Sequence, residues 1–389
     1  MNAGAPLRLA LVLGFSTFSS AGITAPMHDV LIGTYTENDS QGIYHLRFDG
    51  QSGQLDPAPV QVIPSQNPSW LVLDAEQRLL FATNENGPGK PDPVGRVSSF
   101  SIDPKDRTLT PIGKQITLGD EPTHASLTPD GRYLLVANYG SREDPGGSLV
   151  VMPVDEQGRP GPVTQLSTHQ ASGVNRERQR SSHVHSAVLS PDGRHVFSSD
   201  LGADKVFVYR YQPDNQERPL QPAEPAEVIL PPGSGPRHLV FSPDGRHAFL
   251  TLELTAQVAR FSHDDGKLTQ RQLVDLIGEA DGRTHSAGAI HPSPDGRFLY
   301  VSDRGEVNRI LVFSIAEDGE LREVQRRDVE GKEPREFAFD PSGRFLLIAN
   351  QLSDEIVVLR RDPQSGELGE KVQALPLSRP SSIRFLDQT

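Results

Sequence analysis

The sequence predicts an all-β protein: a seven-bladed β-propeller with four-stranded blades, its ring closed by N- and C-terminal strands that share one blade. Three observations carry that expectation. A turn motif recurs along the chain, a short apolar strand precedes each copy, and each chain end holds the part of a repeat that the other lacks.

The motif is Ser/Thr-Pro-Asp-Gly-Arg followed by an apolar run. It reads TPDGRYLLVAN at 128–138, SPDGRHVFSSD at 190–200, SPDGRHAFLTL at 242–252 and SPDGRFLYVSD at 293–303. Weaker copies stand at 340–350 (DPSGRFLLIAN) and 74–84 (DAEQRLLFATN). Successive copies are 54, 62, 52, 51 and 47 residues apart, which suits one four-stranded blade each. Proline presets its own φ and glycine accepts a positive one, so each copy is a hairpin turn.

The strands before the turns are NPSWLVL (67–73), EPTHASL (121–127), HVHSAVL (183–189), GPRHLVF (235–241), HSAGAI (285–290) and EPREFAF (333–339). Third strands follow in segments such as RVSSFSID, KVFVYRYQ and EIVVLRRD. A seventh opening, RPSSIRF (379–385), has no motif after it, whereas DVLIGTY (29–35) looks like a second strand without a first. Pairing those two ends removes a sheet edge that would break the ring and invite aggregation.

Composition agrees. The 35 glycines and 33 prolines exceed the usual share and demand many turns, which argues against a helical fold. An apolar content of 35% before glycine is counted excludes disorder of the whole chain. With 38 basic against 51 acidic residues, a net charge of −13 and no basic cluster, a nucleic-acid partner is excluded. The absence of cysteine removes a disulfide frame, a thiolate metal site and a cysteine nucleophile.

Residues 1–25 have the layout of a secretory signal peptide: Arg8, an apolar stretch from Leu9 to Phe18, then small residues, with cleavage after Ala21 or Ala25. The apolar run is too short to span a membrane. A periplasmic or secreted protein is expected, with residues 26–389 as one propeller domain and no membrane attachment after cleavage. Initiation at Met27 is the alternative, and would leave the protein in the cytoplasm.

In a propeller the first strand of each blade lines the axis and the second runs back beside it. Starts of first strands and ends of second strands therefore meet at one mouth of the ring. First-strand starts bring Trp70, His124, His183, His185, Arg237, His238 and Arg335, with His285 just before its strand. Second-strand ends bring Tyr35, Glu85, Tyr139, Asp200, Glu253, Asp303 and Arg304. Turn formation explains the prolines there but not the histidines, arginines and glutamates, and convergent titratable groups of both signs mark a site. Single polar residues at such places can instead tie blades together. His183 and His185 alternate on a strand and could offer two metal ligands, but no third is evident, so no metal or organic cofactor is expected. The polar excursion 169–182 could cover the mouth or be surface loop.

Several strings resemble the seven-bladed propeller lactonases, the 6-phosphogluconolactonase family that also holds the fungal carboxymuconate-lactonising enzymes. They are IGTYT (32–36), SSHVHS (181–186), DLGADKVFVY (200–209), GPRHLVFSPDGR (235–246), LELTAQV (252–258) and HPSPDGRFLYVSDRG (291–305). The resemblance covers the chain after the leader. It implies an active site of one histidine, two arginines and a glutamate, matched by His185, Arg237, Arg304 and Glu253. Leu252, where the family has Asn, and GEVN (305–308), where it has Gly-His-Asp-Ser, depart from the pattern and bear on the substrate.

The expected reaction is hydrolysis of a sugar-acid lactone of the 6-phosphogluconolactone type. His185 would activate water, Arg237 and Arg304 would bind the oxyanion or an anionic group, and Glu253 would orient or transfer a proton. His124, His183, His238, Tyr139 and Asp200 are expected to contact substrate. Arg237, aimed into a wet mouth, is expected to make few packing contacts. Two other readings stand beside this one: an isomerase acting on a carboxylated muconolactone, and a non-enzymatic periplasmic binding module. The protein is expected to be a monomer or weak homodimer whose partner is a small lactone.

Overall fold

The computed structural model describes residues 1–2, 27–140, 146–278 and 282–386. The leader expected over 1–25 lies outside the described residues apart from its first two. Twenty-nine strands make up the regular structure of the described residues, arranged as seven antiparallel sheets.

The first strand of each sheet is the innermost. These are Pro68–Leu73, Pro122–Leu127, Val184–Leu189, Pro236–Phe241, His285–Pro292, Pro334–Phe339 and Pro380–Phe385, and they give blades 1 to 7 their order. Each inner strand touches the next, and the seventh returns to the first, so the ring is closed. Blade 7 is the shared one. Pro380–Phe385 pairs with Met27–Thr34 in the register Val30↔Phe385 and Ile32↔Ile383, and Gly42–Asp49 continues the sheet outward. Its outer edge is split into Gln54–Leu55 and Gln61–Pro64, because Pro57 and Pro59 between them cannot donate to a ladder.

Both faces of each sheet are covered by neighbouring blades, so the core is divided into seven clusters, one per interface. Between blades 6 and 7, for example, Phe345, Leu347 and Val358 pack on Val30, Ile32 and Phe48. Burial of each such side chain contributes about 1.5–3 kcal/mol.

The repeated turns form as expected. Asp192 accepts from Ser190 Oγ (2.5 Å) and the Arg194 N–H (3.1 Å), while Arg194 Nε folds back onto it (2.7 Å). Gly193 has φ 70°, a conformation that side-chain-bearing residues adopt only with strain.

One feature of the inner strands sets up the site. In every blade the pairing of first and second strand slips just after its first rungs. Such a bulge inserts an extra residue, bends the strand and re-aims a side chain. The extra residue is Ser69, Thr123, His185, Arg335 or Ser381 in blades 1, 2, 3, 6 and 7, and in blades 4 and 5 Arg237–His238 and Gly288–Ala289 face a single residue.

Candidate active site

Two sets of positions converge at one mouth of the ring. Three bulges deliver His185, Arg237 and Arg335. The residues just past the paired part of the second strands deliver Tyr35, Glu85, Tyr139 and Glu253, and Arg304 takes the matching place in blade 5.

Glu253 is the hub. Its Oε2 lies 3.2 Å from Arg237 Nε, 3.1 Å from Arg304 Nη2 and 3.8 Å from His185 Nε2. Its Oε1 accepts a 2.7 Å hydrogen bond from Arg178 Nη2. Arg304 also donates to Glu333 (2.9 Å) and to Ser286 Oγ (3.1 Å). The four residues that the family resemblance implies are thus in one cluster, and all four are buried.

Burial by itself would raise the pKa of Glu253 toward neutrality, because it disfavours the charged form. Arg304, Arg237 and Arg178 overcome it and hold the carboxyl well below the usual carboxylate range. Glu253 is therefore a fixed anion. His185 goes the other way in charge: burial, and then Arg237, push it far below its ordinary value, so at neutral pH the imidazole is uncharged and keeps a lone pair. Arg237 is pushed down to about 9, first by burial and then by Arg304 and Arg335, and stays a cation at neutral pH.

Across the mouth stands a second set. Tyr35 Oη donates to Glu85 Oε2 (2.8 Å) and accepts from Arg335 Nη2 (2.7 Å). Ser69 Oγ also donates to Glu85. Burial raises the Tyr35 phenol far above its ordinary value, so it holds its proton.

The residues expected to contact substrate divide into three groups. Tyr139 lies in the mouth, where its hydroxyl accepts from Arg178 (3.1 Å) and its ring meets His185 edge to face. His183 stacks on Tyr139 with centroids 4.5 Å apart and donates from Nδ1 to the Tyr139 carbonyl (3.0 Å), so it positions that ring. His124 and His238 lie one layer deeper, packed with Trp70 at centroid distances of 4.6 and 5.2 Å. His238 Nδ1 accepts from Arg237 Nη1 (3.2 Å), and burial pushes His124 down to about 3.

Asp200 is a correction. It is wholly buried. Its oxygens accept from His169 Nδ1 (2.8 Å), Ser182 Oγ (2.6 Å) and the His183 N–H (2.8 Å), which ties the 169–183 connection to blade 3. Asp303 does the same work with His285 (2.8 Å), and Asn84, Asn138 and Asn350 hold the matching buried positions. This periodicity was legible in the repeat and marks the position as a blade clamp. Arg237 is a second correction: it is only 2% exposed, among the largest fully buried side chains, because its bulge turns it inward under Arg304.

Arg178 was missed. It sits in the 169–182 excursion, and its side chain, 43% exposed, reaches from there to Glu253 and Tyr139. The only sequence signal was the basic content of that excursion (Arg176, Arg178, Arg180) immediately before His183. The neighbouring Gln179 anchors the loop, donating to Leu201 O (2.9 Å) and Asp204 (2.7 Å). Among the described residues, no group of three or more His, Asp or Glu is arranged to hold a metal ion.

A neutral imidazole beside fixed arginine donors, at the axial mouth of a propeller, defines a class of site suited to acyl chemistry on small anionic or oxygen-rich molecules. The family described as "Lactonase, 7-bladed beta-propeller" matches residues 29–385, and the chain belongs to it. It is 52% identical to the periplasmic gluconolactonase of Pseudomonas aeruginosa, with a TM-score of 0.90 over 92% of this chain and 99% of that one. It is 33% identical to a 6-phosphogluconolactonase of Formosa agariphila (92% of this chain, 99% of the relative). A Bacillus subtilis 6-phosphogluconolactonase is 31% identical over 92% of this chain and 98% of its own length.

Proposed function

We propose that the Glu253 cluster hydrolyses a sugar-acid lactone, either of the 6-phosphogluconolactone type or its unphosphorylated counterpart. The observation that carries this reading is the neutral, buried His185 set beside two arginines that Glu253 fixes in place. His185 takes a proton from water as the oxygen attacks the lactone carbonyl carbon. Arg237 and Arg304 stabilise the tetrahedral oxyanion. Collapse breaks the ring C–O bond, and the proton on His185 passes to the departing alkoxide, leaving a hydroxy acid. Glu253 orients the arginines; as a fixed anion it does not serve as the acid.

The mouth also favours the product. Four arginines (178, 237, 304 and 335) face Glu85, Glu253 and Glu333, leaving an excess positive charge for the new carboxylate. Residues 1–25 are read as a secretory leader, and the likeness to a periplasmic gluconolactonase supports action outside the cytoplasm. Turnover of gluconolactone and 6-phosphogluconolactone, with ¹⁸O from labelled water appearing in the product carboxylate, tests the reaction. Equal rates for the parent protein and His185→Ala would remove it, and product without ¹⁸O would point to an isomerase.

A further inference from the structure

The inner strands alternate, so every second residue faces the axis and the channel is built in layers. Below the mouth lies the layer of Trp70, His124, His238 and Glu336. Two residues further along each strand comes the far layer, at the opposite end of the ring. Val72, Val188, Val240 and Ala338 stand there together with two ionisable groups, His291 and Arg384. All six are part-exposed, unlike most of the layers above them.

Arg384 is unusual among the arginines of the channel. Its Nε donates to Leu71 O (3.0 Å) and its Nη1 to Ile383 O (2.8 Å), and its guanidinium lies 4.7 Å above the Trp70 ring. No carboxylate is within ion-pair distance of it among the described residues. The one opposite charge acting on it, Glu336, is taken by His291 Nε2 (2.5 Å) and the Phe337 N–H (2.9 Å). Nη2 of Arg384 has no hydrogen-bond partner among the described residues. Arg384 and His291 both line a cavity of about 390 Å³ whose other walls include Leu73, Phe337, Phe339 and Phe385.

A guanidinium set among apolar walls, with no ion-pair partner among the described residues, is an unmet charge, and its planar N–H edge matches a carboxylate. A concave apolar site with one such group at its floor is the usual form of a small-molecule pocket. We propose that the far mouth binds a small organic carboxylate with an apolar body. The carboxylate meets the free edge of Arg384, and the body lies on Leu73, Phe337 and Phe339. This site is separate from the Glu253 cluster, since the Trp70, His124 and His238 layer stands between them.

Trp70 is the single tryptophan of the chain and touches Arg384, so its emission reports on the far mouth directly. Titration with cyclohexanecarboxylate should change that emission saturably and leave lactone turnover unchanged. Arg384→Gln should weaken binding by roughly 10-fold or more, as loss of a charge-assisted hydrogen bond implies. Ala338→Phe, which fills the cavity and keeps the arginine, should weaken it as strongly. Cyclohexylmethanol, the neutral counterpart, should bind at least about 10-fold more weakly. Four results overturn the proposal: no saturable response, equal binding of the alcohol, inhibition of turnover at the same concentrations, or binding unchanged in the variants. Should Arg384→Gln fail to fold, Ala338→Phe decides.

Discussion

The mouth of the ring holds two arginine–glutamate sets built by the same devices, and they differ in what stands between the charges. On blades 3 to 5, Glu253 meets Arg237 and Arg304 directly, with the imidazole of His185 3.8 Å away. On blades 6, 7 and 1, the Tyr35 hydroxyl bridges Arg335 and Glu85. The imidazole, pushed down chiefly by burial, is uncharged at neutral pH and keeps a lone pair, whereas the phenol, pushed up by burial, keeps its proton. The proposed reaction accordingly uses the first set for proton transfer and leaves the second to hold hydroxyl groups. Position in the fold makes the two sets possible; the titratable group that accompanies the charges, His185 or Tyr35, sets them apart.

The largest expected effect breaks the first set. His185→Ala should lower kcat by about 10²- to 10⁴-fold, the usual worth of a general base, while gluconolactone KM changes little. A loss in KM alone would show that His185 only binds.

Arg237→Ala comes next, with about a 10²- to 10³-fold loss in kcat. The buried position adds a second consequence. Removing one partner of a buried ion pair costs about 3–5 kcal/mol, so the variant should also melt well below the parent. Calorimetry beside kinetics checks this, and an unchanged melting temperature would contradict the buried placement.

On the other set, Tyr35→Phe should be milder. Loss of one hydrogen-bonded hydroxyl is worth about 1 kcal/mol, so KM should rise about five-fold with kcat nearly constant. A kcat loss comparable to that of His185→Ala would erase the distinction between the sets.

The smallest effect is on the pH profile. With His185 held neutral, kcat/KM should show no inflection near 6.5. Stability should behave differently. His124, His185 and His238 are all pushed down in the folded state, chiefly by burial, so in the window below about 6.5 the unfolded chain binds protons that the native one does not. The melting temperature should therefore be highest above that window and fall as the pH drops through it. His124→Gln should flatten the slope, which thermal melts across pH would show.

Much of this is legible in the amino-acid sequence. The spacing of the Pro-Asp-Gly-Arg turns counts the blades, because each blade needs one tight turn at a fixed place and glycine meets that need cheaply. The complementary ends, DVLIGTY and RPSSIRF, announce closure, because an unpaired edge is costly. Convergence of His185, Arg237, Glu253 and Arg304 follows from their repeat positions alone. Asp200 could have been set aside on the same ground, since its counterparts Asn84, Asn138, Asp303 and Asn350 recur round the ring.

What the tertiary structure alone decided was direction. Adjacent residues such as Arg237 and His238 share a repeat position to within one place, yet one reaches Glu253 and the other lies a layer below. The bulge in each inner strand makes that choice, and no local pattern in the sequence encodes it. Arg178 lay beyond reach for a related reason: it belongs to an irregular connection with no counterpart in the other blades, so periodicity says nothing about it. Arg384, without an ion pair among the described residues, is the same lesson at the far end, because pairing is a property of everything packed around a side chain. Repetition writes the frame of a propeller into its sequence. Contacts across blades, made by residues tens or hundreds of positions apart, decide what that frame holds.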